Sequence, residues 1–149
     1  MGYQEQGTGQ TLAEGLDELR QSTNLLAPDA LEGRARELFE AHDAAHVVFG
    51  CDTSLEQEVF IDLWTLFGTD VGLLGYVSYF GVPEARDIIG DVGVLASLRA
   101  MFRHRKRALE VIHRARAMRG KWRWGEQAAH MSRPLSEIRD ELGIRVVGA

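Results

Sequence analysis

Two histidines four residues apart, His42 and His46, fall in the middle of an otherwise apolar helical stripe, and any fold of this chain has to supply partners for them. At about 100° per residue, Leu31, Ala35, Leu38, Phe39 and Phe49 lie within about 60° of His42, so the spacing predicts a helix over residues 30 to 50 with one face turned to a core. His46 lies on that face and Asp43 borders it. Burying two imidazoles without partners costs several kcal/mol. The chain therefore needs either hydrogen bonds at both rings or an ion between them.

A divalent metal ion accounts for the pattern. Two imidazoles and a neighbouring carboxylate on one helix supply three donors, and a carboxylate from the next helix can supply a fourth. Phe49-Gly50-Cys51-Asp52-Thr53-Ser54 reads as a turn ending in N-cap residues, so a second helix starts near Leu55 and places Glu58 about one turn into it. Nitrogen and carboxylate donors without thiolate suit zinc and also admit iron(II), cobalt or manganese. The competing reading is plain: His-x-x-x-His pairs are common, and Glu58, Asp62 and Thr65 share one stripe that reads equally well as a solvated face.

His42-Asp43, two residues, His46, eleven residues and Glu58 resemble the signature of the coenzyme Q (ubiquinone) biosynthesis protein 4 family. A second stretch, Arg119-Gly120 followed by Pro134-Leu135-Ser136-Glu137-Ile138-Arg139-Asp140-Glu141-Leu142-Gly143-Ile144, resembles that family's closing segment. The resemblance covers roughly residues 30 to 146, thinly in the middle. It implies metal ligation by His42, Asp43, His46 and Glu58, with zinc the usual ion. It also implies a lyase-type reaction at C1 of a polyprenyl-hydroxybenzoate head group, where the carboxylate is lost and a hydroxyl can replace it. Asp43 and Asp62 are then the candidate catalytic carboxylates. The alternative it leaves is a non-catalytic prenyl-lipid-binding or scaffold protein of a quinone-biosynthesis assembly, with other proteins of that assembly as partners. The chain departs from the family in Ala44-Ala45, where members carry a bulky pair often ending in Trp, and in Gly125, which separates Trp124 from Glu126.

Length and composition fit one domain, and the helical patterning together with the resemblance implies an all-α fold of about six to seven helices, with a buried metal site and an apolar lipid groove, over residues 11 to 149. Of the 149 residues, 45% are hydrophobic and 26% charged, an ordinary balance for one core. Residues 1 to 10 are polar and glycine-containing and are expected to be flexible. They lack the apolar run of a signal peptide and the Arg-rich character of a transit sequence, which fits a bacterial cytoplasmic protein. The single cysteine, Cys51, excludes an intramolecular disulfide and reads as a small hydrophobe in a turn.

Thr11 and Glu14 have capping-box spacing before a helix over residues 11 to 24, and Asp29 with Glu32 repeats it after the break at Pro28. Residues 59 to 83 are the most apolar stretch. Asp62, Asp70 and the Gly68-Thr69-Asp70 turn divide it into halves too short for a membrane span of about 20 residues, so the stretch reads as two buried helices packed around the core or around an isoprenoid chain. Gly81-Val82-Pro83 closes them. Residues 84 to 119 read as one long or two broken helices with Gly90 and Gly93 as weak points. A last helix over 134 to 142 ends at Gly143.

Charge divides the chain. Residues 1 to 98 carry 4 Lys/Arg against 17 Asp/Glu, and residues 99 to 149 carry 13 against 5, which together give the overall −5. Leu98, Met101, Phe102, Leu109 and Ile112 interleave with the basic residues at helical steps. Such a helix pairs with the acidic half or meets an anionic membrane surface, with Trp122 and Trp124 as interfacial anchors. The second choice would place the protein at the periphery of the cytoplasmic membrane. Nucleic acid is the least favoured partner, since the net charge is negative and no nucleic-acid module is present. A homodimer is left open.

Other metal enzymes fit worse. A His-Asp phosphohydrolase needs a histidine upstream of the dyad, and His42 is the first in the chain. A zinc peptidase needs Glu beside the first histidine and a third ligand downstream. A ferritin-like centre needs two Glu-x-x-His motifs, and only Glu110 to His113 supplies one.

Overall fold

The computed structural model describes residues 1–22, 32–79 and 94–147. Among them are seven α-helices and no strand: α1 (Leu12–Ser22), α2 (Gly33–Phe49), α3 (Leu55–Gly68), α4 (Gly72–Tyr79), α5 (Val94–Arg103), α6 (Arg105–Arg116) and α7 (Leu135–Leu142), with two short 3₁₀ turns at Gly2–Gln4 and Gln127–His130. The all-α reading holds. α1 packs on α2, and α3 is central, meeting α2, α4, α5 and α6. Leu12, Leu16, Leu19, Val47, Phe49, Phe60, Ile61, Trp64, Val111, Ile138 and Ile144 form the middle of one continuous core.

Local chemistry explains the helix ends that position the site. Thr11 and Glu14 form the expected capping box: Thr11 N–H donates to Glu14 Oε2 (2.7 Å) and Glu14 N–H to Thr11 Oγ1 (3.2 Å). Glu32, however, stands in extended backbone at the N-cap of α2 rather than three residues inside the helix, so it cannot close the second box. Asp29, its partner in that reading, lies outside the described residues, as do Leu31, Pro28, the Gly81-Val82-Pro83 turn and both Gly90 and Gly93. α2 ends at Gly50 in the left-handed region (φ 71°), and the chain reverses into α3, with Ser54 N–H donating to Asp52 Oδ1 (2.9 Å). Gly15 allows α1 to cross α2 closely, since a Cβ there would stand 2.5 Å from Val47 Cγ1.

Four expectations are corrected by packing. The N-terminal ten residues are not a loose lead: Tyr3 is fully buried, and Gly2 and Tyr3 donate their N–H groups to Glu18 (2.8 and 3.2 Å). α4 is apolar but not buried, with Leu73 64% and Leu74 87% exposed. The basic segment breaks at His104, and its α6 half buries Ala108, Val111 and Ala115 while Phe102 and Leu109 face outward.

Trp122 is the fourth correction. It is buried and its N–H donates to Gly68 O (3.0 Å), so it is a core residue rather than an interfacial anchor. Trp124 is half-buried against the core, with its N–H on Asp70 Oδ1 (2.8 Å). Part of the basic face pairs within the chain, as His104 (2.9 Å) and Arg107 (3.3 Å) both meet Glu56. No described helix is long and apolar enough to cross a membrane.

The two parts of the closing segment meet each other. Arg119 and Gly120 donate their N–H groups to Leu142 O (2.8 and 3.4 Å), capping the end of α7 just before Gly143 (φ 71°).

Candidate metal centre

The hairpin of α2 and α3 brings the last turns of one helix beside the first turns of the next. One donor atom from each of His42, His46 and Glu58 lies within 4.8 Å of the other two. The imidazole rings stand edge to face, centroids 4.7 Å apart, as residues one turn apart on one helix should. His46 is fully buried; His42 and Glu58 are half-buried, so the group lies at the rim of the core with access from one side.

His46 is prepared for ligation by what its other nitrogen does. Nδ1 lies 3.3 Å from the Cys51 carbonyl, which can only accept, so the ring carries its proton on Nδ1. That leaves the lone pair on Nε2. This atom is buried, lies 3.5 Å from Glu58 Oε1 and has no hydrogen-bond partner. A buried acceptor left unpaired is costly, and an ion between His42, His46 and Glu58 would satisfy it.

Electrostatics agree with the geometry. Burial lowers His42 to about 4, and burial with the neighbouring His42 holds His46 well below its ordinary value, so both rings are neutral donors at pH 7. Burial, then Asp62, Asp43 and Asp52, raise Glu58 to about 7. Four carboxyl groups gathered around one place without a cation repel one another, and a divalent ion removes that penalty.

The remaining predicted residues fall into place unevenly. Asp43 is buried but lies outside the three-residue group. About 100° round the helix from His42, it turns toward α1, where its Oδ2 is 3.7 Å from Arg20 Nε. Burial nonetheless raises it to about 6. Asp62 sits one turn beyond Glu58 on α3, half-buried, and accepts a short hydrogen bond from the Tyr76 hydroxyl of α4; burial raises its pKa while that bond lowers it. Thr65, next on the same stripe, is fully buried, so this stripe is not the solvated face of α3. Ala44 and Ala45 are also fully buried, which leaves no open space beside the helix at that point. Sequence reasoning missed Tyr76 and Arg20, neither of which lies at a motif spacing from the histidines.

A cavity of about 510 Å³ opens between α3 and α5, lined by Leu55, Glu56, Arg99, Ala100, Arg103 and His104. Glu56 points away from the Glu58 stripe, two residues and about 200° round the helix. Despite its charged side chains its lining is more apolar than polar, but none of the lining residues lies between 59 and 83, and it is separate from the metal centre. It is not the apolar tunnel expected from residues 59 to 83.

The proton on Glu58 gives a pH dependence with a definite sign. With both histidines already neutral, metal binding displaces about half a proton at pH 7 and approaches one proton below it, that of Glu58. Apparent affinity is expected to fall about tenfold for each unit of pH below 7, and more steeply as pH approaches 4 and His42 protonates as well. Zinc titrations at pH 5.5, 6.5 and 7.5 in non-chelating buffers measure that slope. A flat profile would remove Glu58 from the ligand set.

Comparison with protein-family models, with curated proteins and with solved structures finds no match for this chain.

Proposed function

We propose that this chain is a divalent-metal protein acting on a prenylated aromatic acid, removing the carboxylate at C1 of a polyprenyl-hydroxybenzoate head group. The observation that carries the reading is the ligand set itself: His42, His46 and Glu58 gather while Asp43 is engaged by Arg20. Three protein donors leave a coordination position for substrate, as catalytic sites do, whereas a structural site is closed. Zinc suits the donors best, and iron(II), cobalt and manganese are compatible.

When bound, the ion supplies a Lewis acid that draws the carboxylate or phenolate oxygen of the substrate into the site. The C1–carboxylate bond then breaks, its electron pair stays on the ring, carbon dioxide leaves, and a proton takes the vacated carbon. Asp62 is the proton donor in this reading, since burial raises its pKa and Tyr76 holds its orientation. Asp43, held by Arg20, adds negative charge beside the ligands. The exposed Leu73 and Leu74 of α4, the helix that carries Tyr76, offer apolar surface to the isoprenoid tail. The basic residues of α5 and α6 that form no ion pair among the described residues, such as Arg103 and Lys106, would keep the protein at an anionic membrane where such lipids reside.

Release of carbon dioxide from a carboxyl-labelled polyprenyl-hydroxybenzoate by zinc-loaded protein tests the reaction. Asp62→Asn is expected to slow release at least about a hundredfold, within the usual range for a general acid, and to leave zinc affinity within a few-fold. Asp43→Asn is expected to slow it less while also sparing the metal. If loaded protein binds the lipid and releases nothing, the non-catalytic scaffold reading replaces this one.

A further inference from the structure

Arg139 is fully buried and meets no carboxylate among the described residues. Its guanidinium donates instead to four backbone carbonyls: Val48 (2.8 Å) from Nε, Glu5 (2.7 Å) from Nη1, and both Tyr3 (2.6 Å) and Val47 (2.8 Å) from Nη2. Val47 and Val48 belong to the last turn of α2, immediately after His46. Carbonyls of a last turn lack partners four residues on and carry the negative end of the helix dipole, and Val47 O, which also takes the Gly50 N–H (3.3 Å), has a second lone pair free for the guanidinium; this is how a buried cation is held without an acid.

The same guanidinium grips the N-terminal segment, and that segment reaches back to His46. Tyr3 is fully buried, and its hydroxyl donates to the Cys51 carbonyl (3.2 Å), the atom that also takes the Nδ1 proton of His46 (3.3 Å). Cys51 N–H in turn donates to His46 O (2.9 Å). The backbone of Cys51 is thus held at both its N–H and its carbonyl, and that carbonyl receives two donors from separate parts of the chain.

We propose that Tyr3 and Arg139 are positioning residues of the metal centre, fixing the Cys51 carbonyl so that His46 holds its proton on Nδ1 and aims Nε2 at the ion. The proposal rests on the reading of His42, His46 and Glu58 as a metal site. It assigns a task to the N-terminal segment, which shares no sequence neighbourhood with the ligands. It also explains why an arginine occupies a fully buried position on α7. Outer partners that orient a ligating histidine change metal affinity about 10- to 100-fold when lost.

The test uses the full-length chain, ¹⁵N-labelled on histidine. Ring-nitrogen chemical shifts in metal-free protein report the His46 tautomer, and competition with a chromophoric chelator reports zinc affinity. Tyr3→Phe removes one hydroxyl and keeps the ring. It is expected to leave the helical circular-dichroism spectrum unchanged, turn His46 into a mixture of tautomers and weaken zinc binding about tenfold. Arg139→Lys, which keeps the charge but cannot span four carbonyls, is expected to act in the same direction and more strongly. If Tyr3→Phe leaves both the tautomer and the affinity as they are in the unsubstituted chain, Tyr3 is only a packing residue and the proposal fails. If the unsubstituted chain takes up no zinc, the metal reading itself is overturned and the proposal with it, and that result is seen before any substitution is made.

Discussion

Zinc at a hundredfold excess over its dissociation constant is expected to stabilise the protein by about 2.7 kcal/mol, since a ligand selective for the folded state adds its binding free energy to folding. For a domain of this size that raises the thermal midpoint by roughly 5–10 °C. His46→Ala removes the oriented donor and is expected to abolish the rise entirely. Glu58→Gln separates the metal account from simple packing, because its two effects have opposite signs. Without metal, the amide relieves the carboxylate crowding that burial, Asp62 and Asp43 impose on Glu58, so the midpoint stays level or increases. With zinc added, the variant gains little. A Glu58→Gln protein that is destabilised without metal and still responds fully to zinc would show that the carboxylate is structural. Scanning calorimetry on the three proteins, with and without zinc, decides the matter.

Replacing Arg139 is expected to give the largest loss of stability of any single change on α7. Arg139→Met keeps the length of the side chain but deletes donors to the carbonyls of Tyr3, Glu5, Val47 and Val48 in a buried setting. Leaving a buried acceptor unmatched costs about 1–3 kcal/mol. Relief of burying the guanidinium, which burial already pushes down to about 10, offsets part of the sum. A net destabilisation of about 4 kcal/mol is expected, in the range reserved for broken buried networks. Urea denaturation at pH 7 measures it. A loss below about 1 kcal/mol would mean that water replaces the guanidinium at these carbonyls, as happens at exposed helix ends.

Where the sequence was legible, the reason is periodicity and turn chemistry. The face of α2 that carries His42 and His46, the Gly50 reversal, the start of α3 at Leu55 and the end of α7 at Gly143 all follow from local rules that tertiary packing did not override. What was missed depends on contacts between distant segments. Hydropathy alone made α4 a buried helix, yet Leu73 and Leu74 face outward, because an apolar composition does not say which neighbours arrive to cover it. Asp43 read as a ligand from its place beside His42, but its direction takes it to Arg20 on α1. A glycine-containing polar N-terminus reads as loose, and Arg139 holds it through backbone carbonyls, which carry no residue-type signal at all.

The position of His46 between the Cys51 carbonyl and Glu58 makes a bound ion the central claim, and counting that ion tests it most directly. Elemental analysis of protein purified without a metal-affinity tag, repeated after incubation with zinc, iron(II), cobalt or manganese and removal of excess, should give one divalent ion per chain. The same measurement on His46→Ala and Glu58→Gln should give none after equal washing. A folded, unsubstituted chain that retains no ion under any of these conditions would contradict the account, and the bare Nε2 of His46 would then need another partner.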